Sequence, residues 1–400
     1  MKPGSRLLMI LGLLLITTVL AGTLGACTTS AAQPWSFGVM GDTQWTCAND
    51  PADQNPNGVS VSIVNQLNRQ FIDKRVKFVV QVGDLTENGN DADIAMRATA
   101  AQPLINAGIS FFPMRGNHET YANKVQNDFT TNSNNFGIPA VQSKFPQTRG
   151  LSNTLGATNF SSPTSVSNDL NGMSYSFDYG TSGNNARFVI IDDWVCPGKI
   201  TVAAGYPYGY SIADQQAWIS NRLDKATRNT EHAFVFSHQN LIGENHQDCL
   251  FNGYTNANPD MQNAFFASLQ ANEVKYYISG HDHMHQRSLI SSPDGKSKVE
   301  ELICASDSSK FYTPKATDDA NWFNQKARET SISQELATIG YYIFTIDGPR
   351  VTVDYYADDH GKWASDNNYP GSGLTNQVTP TLNFVKKETW GYNLNDKSSK

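Results

Sequence analysis

Side chains able to hold a metal ion recur in this chain just after short apolar segments: Asp42 and Gln44, Asp84, Asn117 and His118, His238, and His281 with His283. Carboxylate, amide and imidazole groups are a protein's oxygen and nitrogen donors for divalent cations. One such residue says little. An Asp after a glycine is ordinarily a turn former, and a lone His is ordinarily a hydrogen-bonded polar residue. Five clusters in succession say more, and four of the chain's eight histidines fall in them. Each cluster follows a predicted strand, and crevices at the carboxyl ends of strands are where open α/β sheets bind ligands. In extended backbone, residues i and i+2 point the same way. Asp42 with Gln44, and His281 with His283, can therefore face one site together.

The elements that position these residues alternate in type, as in an α/β protein. Residues 35–40 read as a strand ending in Gly41-Asp42. Ile63, Leu67 and Phe71 recur at helical spacing, with Val64 and Ile72 widening the face. A strand over 77–82 ends in Gly83-Asp84, a helix follows over 92–107, and a strand over 110–114 delivers Arg115-Gly116-Asn117-His118. Residues 119–172 are crowded with Asn, Ser and Thr and read as a long insertion. Beyond it come paired strands over 173–179 and 186–192, a helix over 214–225, and a strand over 231–236 leading to Ser237-His238. A helix over 259–272 and a strand over 274–278 lead to Gly280-His281-Asp282-His283. A strand over 299–305 and a hairpin of 340–346 with 350–356 finish the pattern, and residues beyond 362 show no clear period.

Gly41-Asp42-Thr43-Gln44, Gly83-Asp84, Gly116-Asn117-His118-Glu119, Ser237-His238 and Gly280-His281-Asp282-His283 resemble the five motifs of the calcineurin-like metallophosphoesterases. The likeness runs from about residue 35 to 357; its GNHE and GHDH elements are specific, whereas GD alone is weak. It implies a four-layer α/β/β/α sandwich of two mixed β-sheets flanked by helices, one domain over 35–360 followed by a polar extension. It also implies hydrolysis of phosphate esters. Such esters resist water because their anionic oxygens repel a nucleophile, and two metal ions neutralise those oxygens and acidify a water. By the resemblance, Asp84 touches both ions. Asp42, Gln44 and His283 complete one ligand set; Asn117, His238 and His281 complete the other. His118 is implied to contact the phosphoryl oxygen or to protonate the leaving group rather than to bind metal.

Two departures from the family pattern bear on the chemistry. Many members carry His where this chain has Gln44, and an amide can ligate only through its oxygen. Three oxygen donors and one nitrogen favour Mn, Fe or Mg at that site, with Zn still possible; alternatively, Gln44 only hydrogen-bonds a metal-bound water. In purple acid phosphatases a Tyr three residues after the second motif's Asp binds iron. Glu87 stands there in this chain, so no purple chromophore is expected. The expected substrate is a phosphorylated small molecule or nucleotide, as a monoester. Phosphodiester or nucleotide hydrolysis on the same fold is the alternative, and a non-catalytic, surface-anchored binding protein is the reading of a different class.

Other polar residues near the motifs have plainer readings. His246 and His285 are expected at the pocket rim, and Asp192 and Asp193 in turn or supporting roles. Trp45, Trp194 and Tyr208 serve either to stack on a base or sugar or simply to pack. Arg115 reaches either phosphate or a salt bridge beneath its loop.

Composition bounds the rest. With 400 residues, 39% apolar and 17% charged, the chain is an ordinary globular one with a sizeable core. A net charge of −7 without a basic block excludes a nucleic-acid-binding patch. At the N-terminus, Lys2 and Arg6 precede an apolar run over 7–20, and Leu24-Gly25-Ala26-Cys27 resembles a bacterial lipobox. The expectation is a signal over 1–26, a lipidated Cys27, a tether over 27–34 and export to the bacterial cell envelope, with lipid as the sole membrane contact. A plain secretory signal is the alternative. Cys47, Cys196, Cys249 and Cys304 remain, and in an exported chain four cysteines are expected to form two disulfides.

Overall fold

The computed structural model describes residues 33–46, 53–120, 136–195, 210–246, 249–251, 259–315, 326–359 and 381–396. Two mixed sheets lie face to face. The first holds β1 (Trp35–Met40), β2 (Phe78–Gln81), β3 (Ser110–Pro113), β12 (Gly340–Asp347), β13 (Arg350–Asp358) and β14 (Phe384–Asn393) in the order β14-β13-β12-β1-β2-β3. β1, β2 and β3 run parallel, while β12 pairs antiparallel with β1. The second holds β4 (Thr158–Ser161), β5 (Tyr175–Thr181), β6 (Asn184–Ile191), β7 (His232–Ser237), β8 (Tyr276–Ser279), β9 (His285–Ser291), β10 (Lys298–Ile303) and β11 (Glu329–Glu335) in the order β11-β9-β10-β8-β7-β6-β5-β4. Its parallel centre is β6, β7, β8 and β10.

Strand alternation sorts the core into layers. Phe188, Ile190, Phe234 and Phe236 of β6 and β7 point between the sheets and meet Phe37, Val39, Phe78 and Val80 of the other sheet. Their neighbours Val189, Ile191, Ala233 and Val235 point outward, onto α4 (Tyr210–Leu223) and α5 (Pro259–Ala271), through Ile219, Leu223, Phe265 and Leu269. On the far side, α1 (Val61–Asp73) and α2 (Asp91–Asn106) cover the first sheet, with Ile63, Leu67, Phe71, Ile94 and Leu104 against Val79 and Phe111. The result is the expected four-layer sandwich. Phe37 is its aromatic hub, stacked at 5.3 Å on Phe78 and 4.8 Å on Phe344.

Several elements differ from the sequence expectations. The 119–172 stretch, read as an irregular insertion, contains regular elements among its described residues, α3 (Ile138–Lys144) and β4. β9, β11 and β14 are strands with no apolar alternation to announce them; β14, from the C-terminal extension, pairs antiparallel with β13. Cys304 is a free thiol buried between the sheets, which corrects the expectation that all four cysteines pair. Cys249 is buried too, while Cys27, Cys47, Cys196 and Tyr208 lie outside the described residues. Among the described residues no helix is long and apolar enough to cross a membrane.

Candidate metal centre

The parallel strands β1, β2 and β3, and β7, β8 and β10, bring their carboxyl ends to one place. Loops after β1 and β2 are zipped by Thr43 N donating to Asp84 O at 2.9 Å and Thr43 Oγ1 donating to Leu85 O at 2.8 Å. Gly41 N donates to Asp307 Oδ2 at 2.9 Å, which anchors the Asp42 loop to the segment after β10. Glu119 ties the next pair together, accepting from Gly116 N at 2.9 Å and Thr86 N at 3.0 Å. The motif glycines are required by closeness. A Cβ at Gly116 would lie 2.1 Å from Asp84 Oδ1, and one at Gly83 would lie 2.3 Å from His238 Nδ1.

Asp84, His281 and His283 themselves have φ of 43°, 73° and 51°. Non-glycine residues in this left-handed region are strained, and such strain gathers at functional sites.

The histidines are aimed by carbonyls. His238 Nδ1 is 2.7 Å from Val82 O and His283 Nδ1 is 3.1 Å from Lys310 O. A carbonyl only accepts, so each Nδ1 carries the proton and each Nε2 turns to the site. His238 Nε2 stands 3.3 Å from Asp84 Oδ1, and His283 Nε2 3.5 Å from Asp42 Oδ1. His281 is placed by its backbone N–H, which donates to Asp42 Oδ1 at 3.1 Å.

Two overlapping donor clusters result: Asp84 with His238 and His281, and Asp42 with Asp84 and His283. The ligand-type atoms in each lie within 4.8 Å of one another, and all these residues are buried. Asp84 belongs to both. Asn117 enters the first cluster, its carbonyl oxygen 3.1 Å from His238 Nε2. Turned over, its amide would reach Asp84 and His281 Nδ1 within 3.3 Å. Gln44 enters the second, Nε2 donating to Asp84 Oδ2. Asp42 Oδ2 and Gln44 Oε1 are buried with no hydrogen-bond partner among the described residues. Leaving buried oxygens unsatisfied costs about 1–3 kcal/mol each, and a cation between the clusters would satisfy both. The residues therefore fit a pair of divalent ions.

The electrostatics agree. Burial pushes the Asp42 carboxyl up to about 7, with nearby His238 opposing and Asp84 adding to the rise. Burial also works against the charged form of Asp84, but His238 and His118 hold it well below the usual carboxylate range. Burial would lower His238; the Asp84 carboxylate outweighs it and pushes the imidazole up to about 10. Burial, with the Lys310 ammonium nearby, keeps His283 well below its ordinary value. This is a site dense in negative donors and short of positive charge.

All eight residues singled out in the sequence thus converge on this place, His118 at its edge with Nε2 3.7 Å from Asp84 Oδ2. The lesser candidates sort out differently. Arg115 is buried against Asp192, with Nε 2.7 Å and Nη2 2.9 Å from its oxygens. Asp193 supports the site, accepting from Gln239 N at 3.0 Å and from Ser237 Oγ. His246 is beside the site, its ring 4.2 Å from that of His281 and its Nδ1 2.7 Å from Asp282 Oδ1. His285 is not at the rim: it is buried, stacked on Tyr355 at 3.9 Å and bonded to the Tyr342 hydroxyl. Trp45 and Trp194 are buried packing residues.

The sequence reading missed the segment Ser306-Asp307-Ser308-Ser309-Lys310 after β10. Ser306 and Ser308 join Lys310 O around His283 Nδ1, and Lys310 Nζ reaches His118. The available signal was its place after a strand. Ser and Lys are not the metal-capable types that drew attention elsewhere.

A family model described as calcineurin-like phosphoesterase matches residues 36–285. No curated protein matches in sequence. Among solved structures, PhoD is 13% identical, with 90% of this chain and 70% of that one covered at a TM-score of 0.55. The purple acid phosphatase PPD1 from seeds of yellow lupin (Lupinus luteus) is 14% identical, with 81% and 51% covered at 0.50. The chain thus spans about half that phosphatase's length. GAP50, the anchor in the inner membrane complex of Plasmodium, is 16% identical, with 82% and 86% covered at 0.47. For PhoD and the lupin phosphatase, at these identities, the likeness is one of fold.

Proposed function

The chain belongs to the calcineurin-like phosphoesterase family, and we propose that it is a metal-dependent phosphomonoesterase with two metal ions. One observation carries this reading: two buried donor clusters share a single carboxylate, Asp84. Asp42, Gln44, Asp84 and His283 would hold one ion; Asp84, Asn117, His238 and His281 the other. The first set is rich in oxygen donors, which favours Mn, Fe or Mg there. When bound, the ions would neutralise the phosphoryl oxygens and lower the pKa of water.

The protein's own groups do the rest. Carbonyls of Val82 and Lys310 hold the two imidazoles in the tautomer that offers Nε2. Asp282 accepts from the backbone N–H groups of Asn245 and His246 at 3.2 and 3.0 Å, which fixes the wall beside His281. His118 stands beside the shared carboxylate, its backbone N–H donating to Asp84 Oδ1 at 3.0 Å. Its ring would meet the phosphoryl group or the leaving oxygen. Asp84 and His118, whose loss would favour a non-catalytic binding protein, are both present, which supports the catalytic reading.

We further infer export and lipidation at Cys27 from the N-terminal pattern; Cys27→Ala should move the protein from the membrane to the soluble fraction. The test of activity is a panel of phosphomonoesters and diesters, assayed on metal-stripped protein refilled with Mn, Fe, Zn or Mg. Refilled protein should cleave monoesters at least tenfold better than diesters. Faster cleavage of diesters would overturn the monoester assignment, and no hydrolysis with any metal would overturn the function.

A further inference from the structure

The family match ends at residue 285, yet the segment after β10 closes one side of the site, and Lys310 touches both of its ends. The Lys310 carbonyl accepts from His283 Nδ1 at 3.1 Å, and its Nζ lies 3.3 Å from His118 Nε2. The same ammonium is 2.8 Å from Glu87 Oε2, with side-chain exposures of 6% and 13%. His118 Nδ1 is 2.7 Å from Glu87 O, so Nδ1 carries a proton and, while the imidazole is neutral, Nε2 accepts from the ammonium. Glu87 stands at the position where the resemblance to purple acid phosphatases puts a metal-binding Tyr. In this chain it holds a lysine instead.

We infer that Lys310 is a substrate-binding residue that donates to a non-bridging phosphoryl oxygen and thereby favours monoesters over diesters. The inference rests on the phosphoesterase reading above. His118 Nε2 and Lys310 Nζ are so close that an oxygen at hydrogen-bond distance from one is within reach of the other. A phosphoryl oxygen arriving there replaces the lysine–histidine bond. A monoester has three non-bridging oxygens and nearly two negative charges near neutral pH; a diester has two such oxygens and one charge. The additional oxygen of the monoester is the one that gains from a charged donor. Glu87 cancels much of the net charge, so the gain is a directed, charge-assisted hydrogen bond rather than a general attraction for anions.

The test uses metal-loaded wild type, Lys310→Met, Lys310→Gln and the double variant Glu87→Gln/Lys310→Gln. Each is titrated with inorganic phosphate by calorimetry, with bound metal and unfolding midpoints recorded. The kcat and KM for phenyl phosphate and a matched phenyl diester follow. Two lysine replacements are used so that a folding failure in one leaves the other. Both should keep their metal and bind phosphate about 10- to 100-fold more weakly, as expected for a lost charged hydrogen bond. Their preference for monoester should fall by a similar factor, mainly through KM. The double variant should stay as weak as Lys310→Gln; recovery there would mean that Lys310 only neutralises Glu87, and would overturn the inference. Unchanged phosphate affinity in the lysine variants would do the same. A wild type that takes up no metal would instead remove the phosphoesterase reading, and this inference with it.

Discussion

Asp84 and His238 form an ion pair at the centre of the site, Oδ1 and Nε2 3.3 Å apart with the side chains only 2% and 0% exposed. With Nδ1 already protonated toward Val82 O, the second proton that charges His238 sits on Nε2, the nitrogen that a metal ion would need. With its pKa raised from 6.5 to about 10, His238 contributes stability that is fully present below pH 6.5 and lost as pH rises through about 10. Metal-stripped protein should therefore lose thermal stability between pH 7 and 10, whereas loaded protein should not. Metal uptake at pH 7 should release about one proton from this histidine, seen by calorimetry in buffers of different ionisation enthalpy. Uptake without proton release would show that His238 is not a ligand.

His118 separates two chemical roles. If it protonates the leaving oxygen, His118→Ala should keep both metals and the fold. It should then slow esters of basic alcohols about 10²–10⁴-fold, and nitrophenyl phosphate far less. Equal losses on both classes would assign it to the phosphoryl oxygens; loss of a metal would make it a ligand.

Gly116→Ala tests the packing around the shared carboxylate. The added Cβ would lie 2.1 Å from Asp84 Oδ1 and 2.7 Å from His238 Nε2, so the loop must shift. Overpacking of this kind is typically worth about 1–3 kcal/mol of lost stability, and metal content should fall with it. A variant with wild-type unfolding and full metal content would contradict the described contact.

Cys304 offers a check on the fold. Buried between the sheets, with its thiol pushed well above the usual range by burial and then by Asp307 and Asp42, it should resist alkylation in native protein. In denatured, unreduced protein it should react at once. Failure to label it when denatured would mean that it is disulfide-bonded after all.

How much of this was legible in the sequence depends on the residue. The motif strands stood out as short apolar runs, because both faces are buried: Phe234 and Phe236 face the other sheet and Ala233 and Val235 face the helices. β14 was opaque because an edge strand carries charge, here Lys386, Lys387 and Glu388. β9 was opaque because its buried polar residues are satisfied only in the fold, as Arg287 is by Glu300 at 2.9 Å. Metal-type residues advertised themselves by type and position. Lys310 did not, since its relevance lies in what it reaches. Nor does any local pattern announce the left-handed backbone at Asp84, His281 and His283.

The most direct measurement is a metal titration of stripped protein, following bound ions per chain and hydrolysis of nitrophenyl phosphate together, in wild type and Asp84→Asn. Wild type should take up two ions per chain, with activity rising only as they bind. Asp84→Asn should lose tight binding at both sites and more than about 100-fold of the activity, since even groups that merely support metal ligands typically account for 10–100-fold. Near-normal metal content and activity in Asp84→Asn, or full hydrolysis by stripped wild type, would contradict a centre built on the shared carboxylate.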